Sequence, residues 1–156
     1  MKSFSYFFCL IIAYLFMLSC STEEDGPVDT TTTDVLGTWQ LTQLTVSSAI
    51  DANNDGITAT NLLEEVDCLN EVLTITANGS WNLGGVAPAL ISSITGNLYN
   101  VTCSEPFALS GNWEAASGTL QLNGGALTQF TLSGDQLIQN VGDDLPGIRT
   151  KVYQRQ

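Results

Sequence analysis

Turn signals recur at short intervals along the last 120 or so residues of this chain, and they restrict the fold more than any other feature. The segments between them are rich in Leu, Ile, Val, Trp and Thr, which are residues that favour β-strands. The turn signals are Ala77-Asn78-Gly79-Ser80, Ser117-Gly118, Asn123-Gly124-Gly125, Ser133-Gly134-Asp135 and Pro146-Gly147. About eight short strands divided in this way predict an all-β fold, an antiparallel barrel or sandwich.

The first strand of this domain is predicted at Leu36–Val46, where apolar and polar residues alternate. Gly37 precedes Trp39 by two positions and lets the backbone pass close to the large ring. We expect Trp39 to seal one end of the core.

The later strands are predicted from the same alternation. A polar loop at Ser47–Ala59 and a short helix at Leu62–Val66, capped by Thr60 or Asn61, come before them. Gly84–Asn97 fits either a long loop or a weakly marked strand. The later strands are predicted at Glu71–Thr76, Trp81–Leu83, Leu98–Cys103, Phe107–Glu114, Thr119–Leu122, Leu127–Leu132, Gln136–Gln139 and Ile148–Tyr153.

The N-terminal segment has the features of a targeting signal, with Lys2 before an apolar run that is too short to span a membrane. Met17-Leu18-Ser19-Cys20 resembles the bacterial lipobox. That resemblance implies a signal peptide at residues 1–19 and a lipid-anchored Cys20. The alternative is an ordinary secretory signal that leaves Cys20 as a free thiol.

An acidic, Thr-rich tether is predicted at residues 20–34, followed by a single domain at 35–156. Ser21-Thr22-Glu23-Glu24-Asp25 resembles the export signal of Bacteroidetes lipoproteins, which implies the outer membrane, on its periplasmic side or at the cell surface. The alternative is a solvated spacer.

Charge and the lack of histidine exclude several functions. The chain has 16 acidic and 4 basic residues and a net charge of −12, so it lacks the basic patch that nucleic acid binding needs. Binding of the domain to an anionic membrane is equally disfavoured, so we expect membrane contact through Cys20 only. Without histidine, the Ser-His-Asp and Cys-His arrangements cannot form, and no enzyme is predicted.

Four short motifs follow one another along the domain: Leu36-Gly37-Thr38-Trp39, Leu62-Leu63 followed by a cysteine, Ala77-Asn78-Gly79-Ser80-Trp81 and Gly111-Asn112-Trp113. Their order and spacing resemble those of the lipocalin-like domains of Bacteroidetes lipoproteins. The resemblance implies an up-and-down barrel of about eight strands with one short helix, whose interior binds a small apolar or amphipathic molecule. It also implies that a basic residue on or after the last strand covers Trp39: Arg149 is the predicted partner and Arg155 the alternative.

Cys68 and Cys103 form an even pair of thiols in an exported domain and are predicted to form a disulfide. A redox or metal pair is the alternative. It is disfavoured because the chain has no Cys-x-x-Cys motif and no histidine.

The segment from Asp51 to Ile57 matches the first half of an EF-hand calcium loop. Asp51, Asn53 and Asp55 would supply side-chain oxygens and Ile57 its carbonyl, and Gly56 stands at position six. The second half does not match, because position twelve is Leu62. A structural calcium is one interpretation and a turn rich in Asx residues the other; no further cofactor is predicted.

Two functions are consistent with these sequence features: a carrier of a small hydrophobic ligand, and an adhesion or assembly module that contacts a protein or glycan. A carrier predicts an internal cavity of several hundred cubic ångströms lined by Leu, Ile, Phe and Trp. A module predicts a filled interior and an exposed apolar patch. The sequence does not determine the oligomeric state.

Overall fold

The computed structural model describes residues 32–124, 128–142 and 147–156. The predicted signal peptide, the lipidation site Cys20 and most of the predicted tether lie outside these residues. The described residues include two 3-10 turns, at Thr32–Val35 and Leu62–Glu64. The strands are β1 (Gly37–Ile50), β2 (Ala59–Asn61), β3 (Asn70–Ile75), β4 (Ser80–Val86), β5 (Pro88–Thr95), β6 (Leu98–Cys103), β7 (Phe107–Ala116), β8 (Thr119–Asn123), β9 (Thr128–Ser133), β10 (Gln136–Asn140) and β11 (Ile148–Arg155).

Eight strands close into an antiparallel barrel in the order β1, β3, β4, β7, β8, β9, β10 and β11, and β11 pairs with β1. Trp39 lies opposite Arg155, and Leu41 lies opposite Tyr153. The predicted lipocalin-like barrel, with its last strand returning to its first, is confirmed. In the described residues, no helix is long and apolar enough to cross a membrane.

β1 is longer than predicted, because it continues through Ser47–Ile50 and pairs there with β2. Its register against β11 shifts between Leu41 and Gln43. An extra residue at such a bulge reverses the alternation of side chains. Leu44 and Val46 therefore face the interior, as Trp39 and Leu41 do before the bulge.

Two clusters of buried apolar side chains fill the barrel. The first, which we call the Trp39 cluster, contains the interior residues of most barrel strands: Val35, Trp39, Leu41, Leu73, Ile75, Trp81, Leu120, Leu122, Phe130, Leu137 and Tyr153. The second, the Leu62 cluster, lies towards the far end of β1 and contains Leu44, Val46, Ile50, Leu62 and Leu69. Side chains of β5 and β6, including Ile91 and Val101, pack on the Leu62 cluster.

The short helix predicted after the polar loop is the 3-10 turn Leu62–Glu64. Asn61 caps this turn, since its side chain accepts a hydrogen bond of 3.3 Å from the Leu63 N–H. The cap allows Leu62 to enter the core at a point where the chain reverses.

β5 and β6 form a separate two-stranded hairpin, so the ambiguous segment Gly84–Asn97 is the end of β4 followed by β5. The Asp51 N–H donates to the Asn97 carbonyl at 2.8 Å, and the Tyr99 N–H donates to the Asp51 carbonyl at 2.9 Å. These bonds attach the hairpin to the end of β1.

The predicted disulfide between Cys68 and Cys103 is present, with 6.5 Å between the two Cα atoms. It joins the end of β6 to the segment that enters β3. A bridge over a sequence separation of 35 stabilises the fold by roughly 4 kcal/mol, because it limits the unfolded chain. The base of the hairpin is thus fixed covalently.

Candidate functional site

A charged group lies inside the barrel between β3 and β11. The Glu71 carboxylate has no exposed surface, and its Oε1 lies 2.6 Å from the Lys151 ammonium. The Tyr153 hydroxyl donates a hydrogen bond to the other carboxylate oxygen. Because β1 lies between β3 and β11 in the sheet, these side chains connect two strands that are not neighbours.

Burial raises the pKa of the Tyr153 phenol well above its ordinary value, and the negative charge of Glu71 and the hydrogen bond to it act in the same direction. Tyr153 is therefore a neutral donor to the carboxylate, while Lys151 supplies the compensating charge. Sequence reasoning did not single out this group. The sequence feature that could have identified it is the alternation in β3, which places Glu71 on the same buried face as Leu73 and Ile75.

Arg155 covers Trp39 at one end of the barrel, with its guanidinium carbon 4.2 Å from the ring centre. Its Nη1 donates to the Leu36 carbonyl at 2.6 Å, and its Nε lies 3.3 Å from the Asp135 carboxylate. The prediction of Arg149 as this partner is wrong. Register places Arg155 opposite Trp39, whereas Arg149 lies near the other end of β11.

The three tryptophans of the domain satisfy their indole N–H groups within the fold. Trp39 donates to the Val35 carbonyl and Trp113 to the Thr76 carbonyl, each at 3.0 Å. Trp81 donates to carbonyls of β7 and β8, and all three rings belong to the Trp39 cluster or pack on it. Trp39 and Trp81 are core residues, whereas Trp113 is half-buried and packs against the core.

The Asp51–Ile57 loop is closed by its own side chains. Asp51 accepts hydrogen bonds from the Asn54 N–H at 2.7 Å and the Gly56 N–H at 3.0 Å. Asp55 accepts one from the Ile57 N–H at 2.7 Å. The bond to Asp55 spans two residues, as in an Asx turn, whereas the bonds to Asp51 span three and five residues.

The residues after this loop do not supply the missing half of a calcium site. Leu62 is buried in an apolar cluster, and the Glu65 carboxylate accepts a hydrogen bond of 3.0 Å from the Ala52 N–H. Within residues 32–124, 128–142 and 147–156, no group of three or more His, Cys, Asp or Glu side chains is placed to hold a metal ion. Calcium binding by the Asp51–Ile57 loop stays a prediction.

A cleft of about 440 Å³ lies where β9 and β10 separate. The two strands pair from Ser133 and Gln136 to Thr131 and Ile138. Beyond these residues, the described part of the chain pairs β9 with β8 and β10 with β11. The lining is mostly polar, unlike the apolar cavity expected of a carrier: Thr128, Gln129, Thr131, Ile138, Gln139, Asn140 and Val141.

The β5–β6 hairpin carries exposed apolar side chains on a stretch without charge. Leu90 is 54% exposed and Ile94 is 60% exposed. The chain has no Asp, Glu, Lys or Arg between Glu71 and Glu105, although its net charge is −12. An uncharged, apolar projection on an acidic molecule is a feature of interaction surfaces.

No protein-family model matches this chain, and no curated protein or solved structure matches it either.

Proposed function

We propose that this protein is a lipid-anchored envelope module without enzymatic activity, whose β5–β6 hairpin contacts a protein partner. The observation that carries the proposal is the hairpin itself: Leu90 and Ile94 are exposed on an uncharged segment. The Cys68–Cys103 disulfide and the Leu62 cluster hold its base in place. A rigid surface loses little conformational entropy when it binds.

The anchor in this proposal is supported by the resemblance of Met17-Leu18-Ser19-Cys20 to the lipobox. Lipidation of Cys20 would place the domain at the outer membrane, on its periplasmic side or at the cell surface, as a member of the lipocalin-like lipoproteins. Mass spectrometry of the protein purified from a bacterial envelope tests this. We expect acyl chains on an N-terminal Cys20 and their loss in the C20S variant, whereas an unmodified thiol would contradict the anchor.

The hairpin contact is tested with a photo-reactive amino acid placed in the full chain at Ile94. Illumination of intact cells should give a crosslinked product whose partner peptide mass spectrometry identifies. The matched control carries the same amino acid at Ser133, which is exposed at the opposite end of the barrel. Equal crosslinking at both positions, or none at Ile94, would reject the hairpin as the contact surface.

Binding of a small molecule is the second candidate, and the cleft between β9 and β10 favours it. Its volume of about 440 Å³ lies within the usual size of ligand sites, but its Thr, Gln and Asn side chains fit an amphipathic molecule better than an apolar one. Native mass spectrometry of the purified protein tests this candidate. A co-purifying mass that is lost in the Q139A variant would support it, and empty protein would count against it.

A further inference from the structure

We infer that the cleft between β9 and β10 binds an uncharged saccharide, either free or at the end of a glycan. This inference rests on the second candidate function, because it names the ligand class of the same cleft, and it is independent of the hairpin contact. Three properties of the cleft support it: the neutral character of its lining, the kinds of polar group in that lining, and the strand edges that form its walls.

The described lining of the cleft carries no charged side chain, in a chain with 16 acidic and 4 basic residues. A net charge of −12 repels anionic ligands, and the lining has no Lys or Arg to hold a carboxylate or a phosphate. A cationic ligand would favour a surface with carboxylates, which this lining also lacks. The distribution of charge therefore favours a neutral ligand.

The polar side chains of the lining are amides and hydroxyls. Gln129, Gln139 and Asn140 each present an NH2 donor and a carbonyl acceptor. Thr128 and Thr131 contribute hydroxyl groups, a type of group that both donates and accepts. A sugar hydroxyl also donates and accepts, so a saccharide suits this whole set. An acyl chain would bury the same groups without hydrogen bonds, which is unfavourable.

The lining comes from both faces of β10. Gln139 lies on the same face as the buried Leu137, whereas Ile138 and Asn140 lie on the other face. The cleft therefore passes between β9 and β10 and is not confined to one face of the sheet. The edges of both strands line it.

These edges add backbone groups to the site. Pairing of β9 with β10 stops at Thr131 and Ile138. In the described part of the chain, no strand pairs with the facing edges of Gln129 and Gln139. Backbone N–H and C=O groups are strong donors and acceptors, and a strand edge presents them in a row. Sugar hydroxyls suit such an edge, since each can pair with either kind of group.

The apolar part of the lining and the size of the cleft fit a short saccharide. Ile138 and Val141 are its apolar side chains, and Val141 is 41% exposed. They can pack on the C–H face of a sugar ring but offer little surface to a long acyl chain. A volume of about 440 Å³ lies in the lower part of the usual range for ligand sites.

A comparison of matched sugars tests the inference. Native mass spectrometry of the full chain, in a detergent that has no sugar head group, measures binding of neutral hexoses, N-acetylhexosamines and their disaccharides. Glucosamine and glucuronate are the controls, because they carry a hexose ring with a positive or a negative charge. We expect a neutral sugar to bind at least tenfold more tightly than both. An array of immobilised glycans with the same end groups distinguishes a free sugar from the end of a glycan.

Variants of two glutamines on β10 locate the site. Q139A removes an amide from the lining, whereas Q136A removes one from the same strand outside the lining. Q139A should raise the dissociation constant of the neutral sugar about tenfold through the lost hydrogen bonds, and Q136A should leave it unchanged. Q139E keeps the shape but loses the NH2 donor, so it should weaken the neutral sugar and strengthen glucosamine. The unfolding temperature of each variant shows whether the fold is intact.

The outcomes separate this inference from the candidate function on which it rests. Tighter binding of a charged sugar, or equal effects of Q139A and Q136A, would overturn the saccharide as ligand. If no saccharide bound but an amphipathic molecule co-purified and was lost in Q139A, the cleft would still be a small-molecule site. If neither bound, both the inference and the second candidate function would fail.

Discussion

The Arg155 guanidinium stacks over the Trp39 ring at 4.2 Å and also donates to the Leu36 carbonyl, so a single side chain links the last strand to the start of the first. The Arg155 side chain is 29% exposed. A partly desolvated cation over an indole ring contributes about 1–2 kcal/mol, and a charged hydrogen bond contributes a similar amount. This contact closes the barrel on the side where β1 begins.

Replacement of Arg155 by alanine should therefore lower the free energy of unfolding by about 2–3 kcal/mol. The control is R149A, which removes an arginine from an exposed position on the same strand and should cost less than about 1 kcal/mol. Urea denaturation followed by tryptophan fluorescence measures both. Equal losses of unfolding free energy in R155A and R149A would mean that Arg155 has no special role in closing the barrel.

A second prediction concerns the ion pair inside the barrel. K151M leaves the wholly buried Glu71 carboxylate without its cation, and we expect a loss of about 3–5 kcal/mol. In the double variant E71Q/K151M the carboxylate is replaced by an amide, which still accepts a hydrogen bond from Tyr153. This variant should recover more than half of the loss. A double variant no more stable than K151M would show that packing of the lysine stem, rather than charge, accounts for the effect.

A third prediction follows from the raised pKa of Tyr153. In the unfolded chain this phenol ionises near pH 10, whereas in the folded protein it stays protonated to higher pH. Its contribution to stability is therefore complete below pH 10, where both states hold the proton, and declines as the pH rises above that value. The slope should approach 1.4 kcal/mol per pH unit.

Denaturation at a series of alkaline pH values measures this slope. In Y153F the slope contributed by the phenol should disappear, while stability at neutral pH falls by about 1–3 kcal/mol because the buried Glu71 oxygen loses a donor. Replacement of Tyr99 by phenylalanine serves as the control and should leave the alkaline slope attributed to Tyr153 unchanged. An unchanged slope in Y153F would contradict the assignment.

The barrel was predictable because the alternation in Leu36–Val46 and in the later segments is local information. The register between β1 and β11 was not predictable. Whether Arg149 or Arg155 meets Trp39 depends on the register between two strands that are far apart in the chain, and this register places Arg155 there. The same pairing contains two irregularities, between Leu41 and Gln43 and between Thr45 and Val46. Bulges of this kind leave little trace in composition.

The Glu71 group escaped prediction for a related reason. Its partners lie 80 and 82 residues further along the chain, and only closure of the barrel brings β11 close to β3. β5 was ambiguous because its exposed residues include Leu90 and Ile94 as well as Ser93. A strand that is not buried on one face alone lacks the regular alternation that identifies a strand.

A fourth prediction concerns calcium at the Asp51–Ile57 loop. With three side-chain oxygens and one carbonyl but no bidentate ligand at position twelve, binding should be weak, with a dissociation constant of about 1 mM or more. The unfolding temperature should rise with millimolar calcium but not with magnesium, and D55N should abolish the rise. No shift with calcium would leave the Asx-turn interpretation in place.

The last prediction concerns Gly111, where β7 passes β8. A Cβ atom at this position would lie 1.9 Å from the Asn123 carbonyl oxygen and 3.0 Å from the Trp81 indole nitrogen. That oxygen accepts the Trp81 N–H at 3.1 Å. The glycine of the Gly111-Asn112-Trp113 motif therefore allows the buried indole of β4 to reach past β7 to β8. In G111A the two backbones must separate, and the hydrogen bond is lost.

We expect G111A to lower the free energy of unfolding by about 2–4 kcal/mol, from overpacking together with the lost bond. G84A is the matched control, since it also adds a methyl group to a strand but meets the nearest atom, the Phe107 carbonyl oxygen, at 3.3 Å. G84A should lower the free energy of unfolding by less than about 1 kcal/mol, because a contact at that distance requires only a small shift of the neighbouring strand. Both substitutions restrict the unfolded chain equally, so this effect cancels when the two variants are compared. Urea denaturation provides the comparison, and the Trp81 indole N–H resonance should move only in G111A. Similar losses in the two variants would show that the close approach of β8 to Gly111 does not constrain this residue.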